Sequence, residues 1–254
     1  MPLSLYTLPC SAVFLECLLV WRLLKHRLWS FYPHVTLFVI YNLLADVILF
    51  PIIWYKPDWF AVTYWRLETV TLSLQFLVNW AFFRRVFPRR STLHDIAWKV
   101  LLTVELGALP AILVLSWRQA LSLHHLYLHL PPVVEQYCCL AQAILLLTPA
   151  AVARYYRLPL GRNLRGLCLG FGIYLLVRSV NFASLQAFRE FIPYWRLLTP
   201  MTFITMMAIW LWAFWEYAPS PEHEGIDETQ YSPWITEWQH LWDKTMTLLR
   251  RGIG

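Results

Sequence analysis

The sequence predicts an all-α, polytopic membrane bundle of seven transmembrane helices, and three observations predict it. Hydrophobic residues are 59% of the 254 and charged residues 14%, against roughly 45–50% and about 25% in soluble domains. A chain of that composition cannot cover its apolar surface with polar groups, so a bilayer must solvate it. Seven apolar stretches are long enough to cross the hydrocarbon core, which takes roughly 20 residues as a helix. Lys and Arg also gather in alternate connections between these stretches.

The first stretch, Leu3–Leu24, has no Lys or Arg before Arg22 and no small-residue cleavage pattern after it. It therefore reads as a retained span rather than a leader. The others are Tyr32–Trp54, Tyr64–Phe83, Ile96–Trp117, Val133–Tyr155, Leu167–Phe188 and Tyr194–Tyr217. Helices are expected throughout, because backbone polar groups in hydrocarbon must be satisfied within their own segment. The five cysteines all fall in apolar stretches and read as small packing residues, not as a disulfide framework.

Direction follows from the basic residues. The first, third and fifth connections and the tail hold fifteen of the 21 Lys and Arg; the opposite side holds five, and Arg178 lies within a span. That bias predicts an amino terminus outside and a carboxyl terminus in the cytoplasm, in a bacterial inner membrane. The outer connections are aromatic instead, with Trp54, Tyr55, Trp59, Phe60, Tyr64 and Trp65, then Tyr194 and Trp195. Rings with a polar edge favour the headgroup layer. The net charge of +6 is thus explained by topology, and no nucleic-acid partner is expected.

Residues 1–217 are the expected membrane domain, 218–231 an acidic, proline-containing cytoplasmic linker, and 232–254 an amphipathic cytoplasmic helix. Ser232 suits the N-cap of that helix and Pro233 its first position. Trp234, Trp238, Leu241 and Trp242 share its apolar side. It could rest on membrane lipid or dock on a membrane or cytoplasmic protein partner. The charge from Pro233 to Gly254 is only +1, with Glu237 and Asp243 against Lys244, Arg250 and Arg251, and three tryptophans suit a protein pocket better than an anionic lipid surface.

Ionisable groups are costly in hydrocarbon and usually face the bundle interior. Here they are Glu16, Asp46, Glu68, Glu105, Glu135 and Arg178. Glu68, Thr71, Gln75 and Asn79 recur every three or four residues and form one stripe along the third span. Shorter stripes are Asn42 and Asp46; Glu135, Cys139 and Gln142; Tyr174, Arg178 and Asn181; and Thr199, Thr202 and Thr205. Asp46, Glu68, Glu135, Arg178, Asn181 and Thr199 fall in the outer half, where with Gln75 they could line a ligand cavity. Arg178 needs a carboxylate partner, Glu68 first and Asp46 second. The competing reading is that these groups only hold helices together through hydrogen bonds.

No catalytic residue, metal set or cofactor is expected. There is no helical HExxH, no GxSxG and no P-loop. The lysines are Lys25, Lys56, Lys99 and Lys244, so the last span has none for a retinal Schiff base. His125 and His129 are spaced for one helical face, with His124 beside them, but no carboxylate or Cys lies nearby in sequence.

Tyr64-Trp65-Arg66-Leu67-Glu68 at the start of the third span and Phe82-Phe83-Arg84-Arg85-Val86-Phe87 at its end resemble a pattern of small uncharacterised bacterial seven-helix proteins. The basic Arg22–Arg27 connection running into Phe31-Tyr32-Pro33, and Gly172-Ile173-Tyr174-Leu175-Leu176-Val177-Arg178, look similar too. More distantly, the plan is similar to seven-helix sensor modules of bacterial signalling proteins. The resemblance implies a fold and a broad role. The functional expectation is a non-enzymatic, sensor- or receptor-like module in which a small ligand or lipid headgroup engages Arg178, Glu68 and Asp46. Its alternatives are an accessory subunit of a larger membrane complex, and a transporter or proton pathway using Glu16, Glu105 and Arg178.

A reporter fused after Gly254 should be active in the cytoplasm, and a tag inserted near Trp59 should be reachable from outside. Both on one side would contradict the seven-span reading.

Overall fold

In the computed structural model the described residues are 4–86, 126–155, 160–188 and 192–218, with single positions 98, 110, 114, 240, 244 and 247. They form α1 (Ser4–Lys25), α2 (Leu28–Phe31), α3 (Pro33–Tyr55), α4 (Pro57–Val86), α5 (Leu126–Tyr155), α6 (Arg162–Ala187) and α7 (Ile192–Ala213). No strand occurs among the described residues. Windows in α1, α3, α5 and α6 are long and apolar enough to cross a membrane. The chain is therefore an all-helical membrane protein. In α4, Arg66, Glu68 and the polar stripe lower the hydropathy, and the apolar stretch of α7, Leu197–Ala213, is shorter.

The expected fourth span lies outside the described residues, except that Trp98, Pro110 and Val114 are helical. Three helices start earlier than their apolar cores. The third expected span begins at Pro57 rather than Tyr64, the fifth at Leu126 rather than Val133, and the sixth at Arg162 rather than Leu167. A hydropathy window sees only the hydrocarbon-crossing part of a helix that continues into the interface. His129, expected in an outer connection, therefore lies within α5; His124 and His125 fall outside the described residues. The linker beyond Ala218 also lies outside them. Of the expected tail helix only His240, Lys244 and Thr247 are described, all helical.

A sharp corner joins α1 to α3. Arg22 and Lys25 occupy the last turn of α1, where cations suit the negative end of the helix dipole. Arg27 then adopts a left-handed backbone, φ 53°, which stops the helix. The single turn α2 follows, and Pro33 opens α3 at its first position, where its missing N–H and fixed φ cost nothing.

The packed pairs are α1–α3, α3–α4, α4–α5, α5–α6, α6–α7 and α7–α1, so the five long helices after α2 and α1 close a ring. One end of that ring is basic. The Arg22 guanidinium donates to the Trp215 carbonyl just beyond α7, and Arg85 at the end of α4 lies over the Tyr32 ring at 4.2 Å. Asn163 in the first turn of α6 donates to the Ala213 carbonyl at 2.7 Å and accepts from the Ala218 N–H at 2.6 Å, satisfying groups that the end of α7 would otherwise leave open. The pattern across the bundle is inside-out. Glu16, Gln75, Gln142 and Asn163 are fully buried, whereas Phe14, Val47, Phe50, Val180 and Trp212 are more than half exposed. Apolar rings fill the centre near the basic end, with Phe38, Phe171 and Trp210 in mutual contact at 5.8–6.1 Å.

Two small residues set the closest approach, between α6 and α7. A Cβ on Gly166 would overlap the Cβ of Ala213, and one on Gly170 would come within 2.8 Å of the Trp210 ring. Gly166 and Gly170 form the small-xxx-small spacing that lets membrane helices pack backbone to backbone. Gly172, by contrast, meets only Leu147 and Leu146 side-chain tips at 3.4 and 3.8 Å. Gly166→Leu should therefore destabilise the bundle by about 1–3 kcal/mol or more through overpacking, and Gly172→Ala should be nearly neutral. Unfolding in mixed micelles checks this, and equal effects would contradict the packing.

Candidate functional site

Three of the polar stripes read from the sequence face inward, whereas Asn42, Asp46 and Thr199 are half-buried and Thr205 is exposed. Glu68, Thr71, Gln75 and Asn79 of α4 are all buried, as are Glu135, Cys139 and Gln142 of α5, and Tyr174, Arg178 and Asn181 of α6. In a bundle surrounded by hydrocarbon, their hydrogen-bond partners must come from neighbouring helices.

Arg178 is the centre of this interior. Its Nη2 lies 2.8 Å from Glu68 Oε1, and the guanidinium forms a second ion pair with Glu135. Its Nη1 donates to the Tyr174 hydroxyl, one helical turn earlier on α6. Glu135 has no exposed surface, Arg178 is 5% exposed and Glu68 8%. One cation from α6 thus ties together one carboxylate from α4 and one from α5. Two groups complete the surroundings: Tyr64, one turn before Glu68, and Cys139, one turn after Glu135, both within electrostatic reach of all three charges.

Asp46, the second expected partner, makes no ion pair with Arg178 among the described residues. It is half-buried on α3, close enough to interact electrostatically with Glu68 on one side and Glu16 of α1 on the other. Glu16 is fully buried, and neither of its carboxyl oxygens has a hydrogen-bond partner among the described residues. Four carboxyl groups from α1, α3, α4 and α5 therefore accompany one guanidinium. Counted from the basic end at about 1.5 Å per residue, they step through the bundle: Glu16 at ~14 Å, Asp46 at ~20 Å, Arg178 and Glu68 at ~24–27 Å, and Glu135 at ~30 Å. The ion pairs thus lie in the half away from the basic end.

The remaining expected site residues are not in this cluster. Asn181 donates to Thr199 at 2.7 Å, linking α6 to α7. Asn79 donates to the Gln142 carbonyl at 3.3 Å, and Gln142 donates to the Leu72 carbonyl at 3.4 Å. These bridges join α4 to α5, and such bonds average about 0.6 kcal/mol in membrane bundles. Gln75 is fully buried, and its amide makes no hydrogen bond among the described residues. Thr202 and Thr205 donate to carbonyls of their own helix. Trp234, Trp238, Leu241 and Trp242 fall outside the described residues.

Sequence reasoning puts Glu135 behind Glu68 and Asp46 as a partner of Arg178, and does not name Tyr64 as a neighbour. Spacing along one helix cannot say which helices adjoin. No family model, curated protein or solved structure matches the chain.

Removing one partner from a buried ion pair leaves a charge without compensation, at about 3–5 kcal/mol. Arg178→Ala should destabilise the bundle on that scale. Combining it with Glu135→Gln should cost less than the sum by roughly 1–3 kcal/mol. Unfolding of the four proteins in micelles measures the coupling, and strict additivity would contradict the pairing.

Proposed function

We propose that the chain is a seven-span, sensor-like module of a bacterial inner membrane whose outer-half cluster responds to a proton. One observation carries this reading: Arg178 is already engaged by Glu68, Glu135 and Tyr174, with Asp46 and Glu16 close behind. A guanidinium so occupied has little left for an anionic ligand. Negative groups outnumber the one cation, and an uncompensated buried charge is among the most costly features a bilayer-embedded core can hold. The chemistry that balances this cluster is an added positive charge, and a proton on one carboxyl supplies it with no change in packing.

Protonation also provides a two-state element. With one carboxyl neutral, a single carboxylate matches Arg178. With both charged, the helices carrying Glu68 and Glu135 compete for it, and the α4–α5–α6 packing must adjust. Such a charge change acting on a bistable packing is how membrane and soluble switches work.

The topology is supported by helix direction. Residues Leu72 and Asn79 of α4 meet Gln142 of α5, and Glu68 and Glu135 meet at Arg178, so α4 and α5 run parallel. The chain between Val86 and Leu126 must therefore return from one end of the bundle to the other, as a fourth crossing at Ile96–Trp117 would do. Basic residues on three helix ends, Arg22, Arg84 with Arg85, and Arg162, lie on the end assigned to the cytoplasm. The tail would carry the signal to a protein partner. His240, Lys244 and Thr247, which share one helical face, are all exposed.

A second reading is favoured by Glu16. A fully buried carboxyl without a hydrogen-bond partner among the described residues, close to Asp46 and nearer the basic end, extends the ladder inward, as a proton pathway would. The two readings part in reconstituted vesicles. A sensor changes hydrogen exchange in α4–α6 across a pH titration, yet vesicles under a pH gradient stay tight. A pathway dissipates the gradient, and Glu16→Gln slows it. Glu135→Gln should abolish the pH-dependent exchange. An exchange pattern that is flat from acid to alkaline pH, in vesicles that stay tight, would contradict both.

A further inference from the structure

The basic end of the bundle holds a second polar feature, about 25 Å from Arg178 by helical rise and separate from its cluster. A cavity of about 190 Å³ opens between the α2–α3 corner, the last turn of α4 and the start of α6. At roughly 30 Å³ per water, it has room for a phosphate-sized group with some of its hydration. Ser30, Tyr32, His34, Arg84 and Arg85 supply its polar lining, and Phe82 and Leu164 are among its apolar walls. No Asp or Glu lines it among the described residues.

The two arginines are held by aromatic rings rather than by acids. Arg84 lies over Trp80 at 4.8 Å and Arg85 over Tyr32 at 4.2 Å, and neither has a carboxylate partner among the described residues. Arg85 also hydrogen-bonds the Tyr32 hydroxyl, and stacking fixes the plane of each guanidinium while leaving the rest of its N–H edge available, the geometry that matches phosphate oxygens. Helix α3 begins in the same lining. Pro33 is its first residue, so the amides of His34 and Val35 are among those a helix leaves without internal partners. The positive end of the α3 dipole adds to the field of the arginines. The His34 ring packs on Trp80, 5.7 Å between centroids, beside both guanidiniums.

We infer that this cavity binds a phosphate-bearing anion through Arg84, Arg85 and the amino-terminal amides of α3. Its chemistry is that of a phosphate mono- or diester, presented by an anionic lipid headgroup or by a free phosphate compound. A cation is repelled, and a neutral ligand leaves both guanidiniums and the helix end uncompensated. The site owes nothing to the state of the Arg178 cluster, so either can fail alone.

The test uses the full chain. It is placed in nanodiscs of phosphatidylcholine alone or with phosphatidylglycerol, and separately in neutral detergent with inorganic phosphate. Retained lipid is counted by native mass spectrometry, and thermal unfolding gives stabilisation. Wild type should retain phosphatidylglycerol over phosphatidylcholine, or be stabilised by phosphate. Each basic side chain near an anionic surface is worth roughly fivefold in affinity, so Arg84→Gln with Arg85→Gln should weaken binding by roughly 25-fold. Arg165→Gln, a basic residue that does not line the cavity, should leave binding nearly unchanged. Retention of lipid without a phosphate effect identifies the headgroup as the source; a phosphate effect without lipid selectivity identifies the free anion. Should the double variant not fold, the wild type still decides through the His34 ring resonances, which must shift on adding either anion. Equal binding by the double variant and wild type, or no selectivity and no shift with either anion, overturns the site.

Discussion

A guanidinium cannot sit unpaired in a membrane interior, and the buried structure is organised around that constraint. Arg178 reaches from α6 to Glu68 on α4 and Glu135 on α5. Idealised transfer of such an ion into a medium of low dielectric costs of order 20 kcal/mol, so the three helices must stay in register for the charges to meet. The neighbouring contacts follow from that register. Gln142 faces α4 because Glu135, two turns earlier, already does. Tyr174 lies one turn before Arg178 and joins the charged layer to the aromatic centre, stacking on Phe171 at 6.2 Å. On the far side of α6, Gly166 and Gly170 let α7 approach closely. The same helix therefore carries charge pairing on one face and backbone packing on another.

The bundle divides into two polar layers of opposite character. The cluster around Arg178 is acidic and largely buried, with one cation shared among carboxyl groups. The basic end is open, and its arginines rest on aromatic rings. Between them lies an apolar layer of Phe38, Phe171 and Trp210, all fully buried. By helical rise the arginines of the basic end lie about 25 Å from the cluster.

Much of this was legible in the sequence because helical periodicity is. The stripe from Glu68 to Asn79 could be read as one inward face, and all four of its residues are buried. Arg178 demanded a carboxylate, and Glu68 could be chosen by depth. Glu135 was at a similar depth, but nothing in a linear sequence says that α5 rather than α3 flanks α6, so Asp46 was ranked ahead of it. The Gly166–Gly170 spacing was present to be read and was not, because glycine in an apolar run carries no charge signal. The corner at Arg27 was hidden for another reason: a left-handed backbone at a non-glycine residue is imposed by the packing of α1 against α3, not by local preference. Helix starts were placed too late wherever an interfacial segment continued the helix.

The central claim is that the Arg178 cluster carries a proton as part of its resting structure. Infrared spectroscopy of the full chain in lipid reads this directly, since a protonated carboxyl absorbs apart from a carboxylate. At neutral pH the wild type should show a protonated carboxyl band that resists hydrogen–deuterium exchange and disappears at alkaline pH. Glu135→Gln or Glu68→Gln should weaken that band, while Glu216→Gln, on an exposed residue beyond α7, should not. A neutral-pH spectrum with no protonated carboxyl band, or one unchanged by all three substitutions, would contradict the account.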